Sequence, residues 1–126
     1  MANEVSVSVS LAVRNGNFDQ SFSVGGGRFD QSTQGASSGI VDIGTAVETI
    51  SLGDVTTAGY SAFRNLSTAT SGTAYIALGH YDGTNLHEFA ALRRGQPAVL
   101  PLRSNVTVGA KAYGSAGKMH YIVFSE

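Results

Sequence analysis

From Glu4 to Val13 the chain alternates without a break, with Val5, Val7, Val9, Leu11 and Val13 on one side and Glu4, Ser6, Ser8, Ser10 and Ala12 on the other. A period of two is the pattern of a strand with one face to bury. Asn15-Gly16-Asn17 then supplies residues that tolerate positive φ, and Phe18, Gln20, Phe22 and Val24 resume a weaker alternation. The spacing predicts a β-hairpin. Gly25-Gly26-Gly27 is expected to break the second strand as a flexible bend. Beyond it Phe18-Asp19-Gln20-Ser21 recurs as Phe29-Asp30-Gln31-Ser32, read as two strands offering similar faces. Two copies are too few for a solenoid. Gln34 to Gly39 is a Gly/Ser/Ala stretch and the expected crossing point to the rest of the chain. The part before it is too short to bury a core alone. The chain therefore reads as a single β domain over residues 1–126, with 1–33 as an N-terminal hairpin region and possible interaction arm and 39–126 as the main sandwich.

After Gly39, β-rich runs recur at short intervals: Ile40 to Ile43, Glu48 to Leu52, Tyr60 to Leu66, Tyr75 to Tyr81, Leu86 to Leu92, Ala98 to Leu102, Val106 to Tyr113 and Met119 to Phe124. Gly, Asn, Asp or Pro punctuates most gaps. This predicts an all-β fold, an antiparallel β-sandwich or small jelly-roll-like barrel of about eight to ten strands with almost no helix. Only Asn85 to Arg94 has a helical alternative, and Gly95 with Pro97 ends it. The expected core is Tyr60, Phe63, Leu66, Ile76, Leu78, Phe89, Leu92, Leu100, Leu102, Val106, Val108, Ile122 and Phe124. Tyr60 and Phe63 lie three apart in one strand, so one of them is expected to point outward.

Length and composition narrow the function. The 126 residues suit one ordinary domain. Hydrophobic residues make up 42%, enough for a core, while charged residues make up 13%, about half the usual quarter, so the surface is unusually neutral. A formal charge of −1 offers no footprint for phosphate backbones or anionic lipid, which argues against nucleic acid and membrane partners. Without cysteine there is no disulfide framework, thiolate metal site or cysteine nucleophile. No signal-peptide pattern opens the sequence, so a protein made and assembled in the cytosol is expected, with both chain ends paired or docked.

Candidate chemistry is sparse. His80 and His87 flank the turn Asp82-Gly83-Thr84-Asn85, with Glu88 nearby, and two imidazoles on adjacent strands could bind zinc if a third ligand approached. Yet neither an HExxH nor a His-x-His spacing occurs, so surface or cross-strand roles are the expectation for these two, and an outward position for His120. There is no GxSxG elbow for a serine nucleophile. Asp19, Asp30, Asp42 and Asp54 are scattered at turns, where local Asx hydrogen bonds account for them. Gly25-Gly26-Gly27-Arg28 lacks the Lys-Ser/Thr and the helix of a phosphate cradle. No catalytic residue, cofactor site or metal site is expected. The residues assigned to protein interfaces are Val5, Val7, Val9 and Leu11 of the first strand, Arg14 and Arg28 near the following turns, and the doublet Arg93-Arg94, since arginine is favoured at interfaces.

Leu52 to Leu66 (LGDVTTAGYSAFRNL), Ile76 to Gly79, Phe89 to Leu102 (ending GQPAVLPL), Val106 to Ala112 and the closing Tyr121 to Glu126 follow an order of motifs that resembles a group of small structural proteins of tailed bacteriophages and prophages. The resemblance implies a non-enzymatic virion protein and brings no catalytic residues with it. The expectation is a capsid decoration or cement protein that bridges and stabilises major capsid subunits. It would act as a homo-oligomer, with a trimer as first guess, reside in the virion and be assembled in the host cytoplasm. A tail-associated or fibre-adaptor protein is the alternative within virions. A carbohydrate-binding module is the alternative of another class, with Tyr60, Tyr75, Tyr81, Tyr113 and Tyr121 as stacking candidates, though the lack of tryptophan weakens it.

Overall fold

The computed structural model describes residues 4–32, 34–53, 55–68, 73–103 and 105–126. The turn expected at Asp54 and the first three residues of the N-terminal end lie outside them. The described residues form ten strands: β1 (Val5–Asn15), β2 (Phe18–Phe29), β3 (Ala36–Ile43), β4 (Glu48–Thr49), β5 (Ala58–Asn65), β6 (Tyr75–Tyr81), β7 (Leu86–Leu92), β8 (Pro97–Pro101), β9 (Val108–Tyr113) and β10 (Gly117–Ser125). No helix occurs among them. The chain divides into two compact units, Met1–Thr33 and Gln34–Glu126.

The first unit is the hairpin. β1 and β2 pair antiparallel around the two-residue turn Gly16-Asn17. The three glycines do not end the second strand, contrary to the expectation from sequence. β2 continues through them to Phe29, and the register shifts between Val7, opposite Gly27, and Val9, opposite Val24. Ser8 thus faces two residues, Gly25 and Gly26, which is a β-bulge. Gly26 carries a φ of 68°, a conformation a β-carbon resists. The repeated Phe-Asp-Gln-Ser tetrapeptides accordingly do not lie on two strands: they begin at the two ends of β2.

The second unit is an antiparallel sandwich of two four-stranded sheets, ordered β3-β10-β5-β8 and β4-β9-β6-β7. Its strands pair first with last in a nested series, β3 with β10, β4 with β9, β5 with β8 and β6 with β7, the topology of a jelly roll. Both sheets line one core. Ile43, Ala58, Phe63, Met119, Tyr121 and Val123 come from the first sheet, and Ile76, Leu78, Leu92, Val108, Ala110 and Ala112 from the second. Asn65, itself buried, ties the sheets together: its Nδ2 donates to Leu92 O at 2.7 Å and its Oδ1 accepts from Ser67 N–H at 2.8 Å. At the C-terminal end Glu126 N–H donates to Thr57 O at 2.9 Å.

The expected core needs correction at the last strand and at β7. Phe63 is buried and Tyr60 only half-buried, so that pair does divide. In β10, however, Met119, Tyr121 and Val123 point inward, while Ile122 is half-buried and Phe124 exposed. Ile122 and Phe124 share their face with Lys118 and His120, so an outward His120 and an inward Ile122 and Phe124 could not both hold, and the polar pair marks the outward side. Phe89 is 62% exposed. The register between β6 and β7 shifts after Leu78, opposite Ala90, to Gly79, opposite Glu88. Phe89 is the extra residue of that bulge and turns away from the core.

Candidate interaction surface

Directly opposed residues of an antiparallel pair share a face. One face of the hairpin therefore carries Val5, Val7, Val9, Leu11 and Val13 from β1, with Phe29, Gly27, Val24, Phe22, Gln20 and Phe18 from β2. The other carries Ser6, Ser8, Ser10, Ala12 and Arg14, with Arg28, Ser23, Ser21 and Asp19. The bulge makes this segregation possible. Strict alternation from Phe18 would have put Arg28 among the valines and Phe29 among the serines, and the one-residue insertion reverses both.

The apolar face is open to solvent along its outer half. Leu11 is 63% exposed, Phe22, directly opposite it, 61%, and Phe18 58%. Val5, Val7 and Val9 are half-buried. No Lys or Pro occurs in either strand, so nothing blocks pairing along the edges. Arg14 stands opposite Asp19 near the tip and Arg28 opposite Ser6 near the base. At the base Glu4 accepts through Oε2 from the Gln31 N–H at 3.2 Å. The structure thus brings six of the eight sequence-assigned interface residues onto one ribbon. Arg93 and Arg94 belong to the other unit, in the turn between β7 and β8, where Gln96 closes the turn by accepting from the Arg93 N–H at 2.8 Å.

The sandwich has an apolar surface that sequence reasoning missed. Ile40 is 64% exposed, Val99 52% and Phe124 37%. Ile122 stands between Ser38 and Ala62, and Ala62 stands beside Val99, so one row of the outward side of the first sheet is apolar across three strands, next to a row in which Ile40 is followed by His120 and Arg64. The only available signal was the two-sided hydrophobicity of the Met119–Phe124 run.

On the second sheet the histidines are cross-strand partners. His80 and His87 are opposed, their rings stacked with centroids 6.1 Å apart. Asp82 holds His87 through an Oδ2–Nε2 contact of 2.9 Å and accepts from the N–H groups of Asn85 and Thr84 at 2.7 and 2.8 Å. Those bonds, the Asn85 N–H first and His87 second, hold its carboxyl well below the usual carboxylate range. Among the described residues no three His, Asp or Glu side chains gather as metal ligands.

Of the five tyrosines, Tyr121 is buried and Tyr81 donates to Gly83 O. Tyr75 and Tyr113 stack on each other at 4.8 Å, with Lys111 Nζ 4.9 Å from the Tyr113 ring centre. Tyr113 donates its hydroxyl to Glu88 Oε1, and this bond to a carboxylate pushes its pKa up to about 12. In a 295-nm titration one tyrosine should ionise near that pH, and Glu88→Gln should return it towards the ordinary value of about 10. Because the folded pKa lies above the unfolded one, the stability this bond contributes is full below about pH 10 and is lost as pH rises towards the folded value. An unchanged titration in Glu88→Gln would remove Glu88 as the cause.

No family model matches the chain, and no curated protein matches it. Among solved structures the chain is similar to a protein from work reporting that "Bacillus endospore appendages form a novel family of disulfide-linked pili", with 13% identity and a TM-score of 0.40, over 78% of this chain and 96% of that one. A likeness of that degree transfers nothing to this chain, which has no cysteine with which to form a disulfide.

Proposed function

We propose that this chain is a structural subunit of a tailed-phage particle, of the capsid decoration or cement type, which acts by binding other protein subunits and not by catalysis. The observation that carries the reading is the hairpin: a ribbon with one face of Val, Leu and Phe, much of it exposed. A contiguous exposed apolar surface marks an interaction site, and a protein subunit is the occupant this reading gives it. A bridging subunit needs a second adhesive surface, and the outward side of the first sheet, with Ile40, Val99 and Phe124, supplies one. The low charge and many small side chains suit close contacts, because little rotamer entropy is lost when such side chains are immobilised. The jelly roll supports the reading by analogy alone, since the same fold builds viral capsid domains, lectins and cupins.

The test is a reconstruction of particles produced by the genome that encodes the chain, with copies counted against the major capsid protein by mass spectrometry. The expected result is a fixed ratio, density on the outside of the shell, and lower thermal stability of shells that lack the protein. Density on the tail would move the protein to the tail-associated class. Absence from particles would end the virion reading altogether.

A further inference from the structure

A two-stranded ribbon is at best marginally stable in water on its own, and this one also exposes an apolar face and two outer edges. We propose that the Val5–Phe29 hairpins of several copies of this chain join edge to edge into one closed β-barrel, with the valine, leucine and phenylalanine face turned inward. This names the first partner of the proposed assembly subunit, a second copy of the chain itself, and rests on that reading.

Three observations select this occupant and this geometry. The first is charge. β1 carries Glu4 just before its base and Arg14 near its tip, while β2 carries Arg28 near its base and Asp19 near its tip. When the hairpins stand side by side in one direction, β1 of one copy meets β2 of the next. Opposite charges then fall together at both ends, Glu4 by Arg28 and Arg14 by Asp19, with no charge along the strands between. The second is coverage. A stack of two hairpins face to face would cover the apolar faces but leave all four strand edges open. The third is the edges. A twofold β1-to-β1 pairing also matches Glu4 with Arg14, but it leaves two edges and the whole apolar face open. Closure removes the edges and covers the face in one step. About three or four hairpins give the six or eight strands of a small barrel whose interior side chains fill. Three phenylalanines per copy, Phe18, Phe22 and Phe29, supply that filling.

The test is on the full chain. Its mass by light scattering at tens of micromolar should be about three or four times the 13.0 kDa of one chain. Leu11→Asp with Phe22→Asp, the opposed pair at the middle of the face, should return it to a monomer. All five tyrosines lie in the Gln34–Glu126 unit, so an unchanged near-UV circular dichroism signal would show that unit still folded. A measurement without mutation stands beside it. In hydrogen exchange on the wild type, the alternate β1 and β2 amides that point away from their hairpin partner should be protected by about a hundredfold or more, because in a barrel they are bonded to the neighbouring copy.

A monomer or dimer overturns the barrel. So does an oligomer that survives the double substitution, or one whose outer-edge amides exchange freely. A monomer that still decorates particles overturns the barrel and leaves the proposed function standing. A closed oligomer absent from particles does the reverse.

Discussion

Leu78→Ala is expected to lower the unfolding free energy of the Gln34–Glu126 unit by about 2–5 kcal/mol, whereas Phe89→Ala is expected to cost less than about 1 kcal/mol. Leu78 is fully buried in the core, and its cross-strand neighbours are Ala90 on β7 and Ala110 on β9. Neither alanine has a side chain that can swing into the vacated space, so the cavity stays largely open and the cost falls towards the upper end. Phe89 has the larger side chain but sits outside the ladder on a bulge, with most of its ring in water. Urea unfolding followed by tyrosine fluorescence measures both. Equal losses, or a larger loss at Phe89, would mean that β7 sits in another register.

Gly79→Ala should cost about 1–3 kcal/mol or somewhat more through overpacking, although it adds a single methyl group. A β-carbon built at Gly79 would run into the main-chain carbonyl of His87 and come within 2.8 Å of the Glu88 Cα. Backbone cannot rotate aside as a side-chain end does, so relief requires moving β6 from β7 at the bulge itself. Gly44→Ala provides the contrast, since an added β-carbon there meets only Glu48 Oε1 at 3.9 Å. A thermal shift for Gly79→Ala no greater than that for Gly44→Ala would refute the close approach of the two strands.

Local pattern carried the strand content, because strand periodicity and turn residues are written in neighbouring positions. The unbroken alternation of Val5 to Val13 and the turn-forming Asn15-Gly16-Asn17 were enough to read the hairpin. The regular spacing of β-rich runs after Gly39 was enough for an antiparallel sandwich. The valines of β1 and the Phe18, Phe22 and Val24 alternation of β2 were likewise visible, and the continuation of the β2 face to Phe29 was not. Phe22 and Phe29 are an odd number of residues apart, so simple alternation puts them on opposite sides, and only the bulge at Gly26 reunites them.

The same limit explains the misplaced Phe89. A bulge displaces one side chain through pairing with a distant strand, so Phe89 reads as core until β6 is beside it. In β10 the misplacement has a different origin: Ile122 and Phe124 share parity with Lys118 and His120, a local sign of the outward face that their apolar character alone overrode. The sequence by itself determined the all-β class, the hairpin and the low-charge character of the surface, because these follow from composition and from residues within a few positions of one another. Tertiary structure alone decided the nested jelly-roll order, the outward turn of Phe89 and the full apolar face of the hairpin. The first rests on which distant strands pair and the other two on their register, where a shift of one residue exchanges the two faces of a strand.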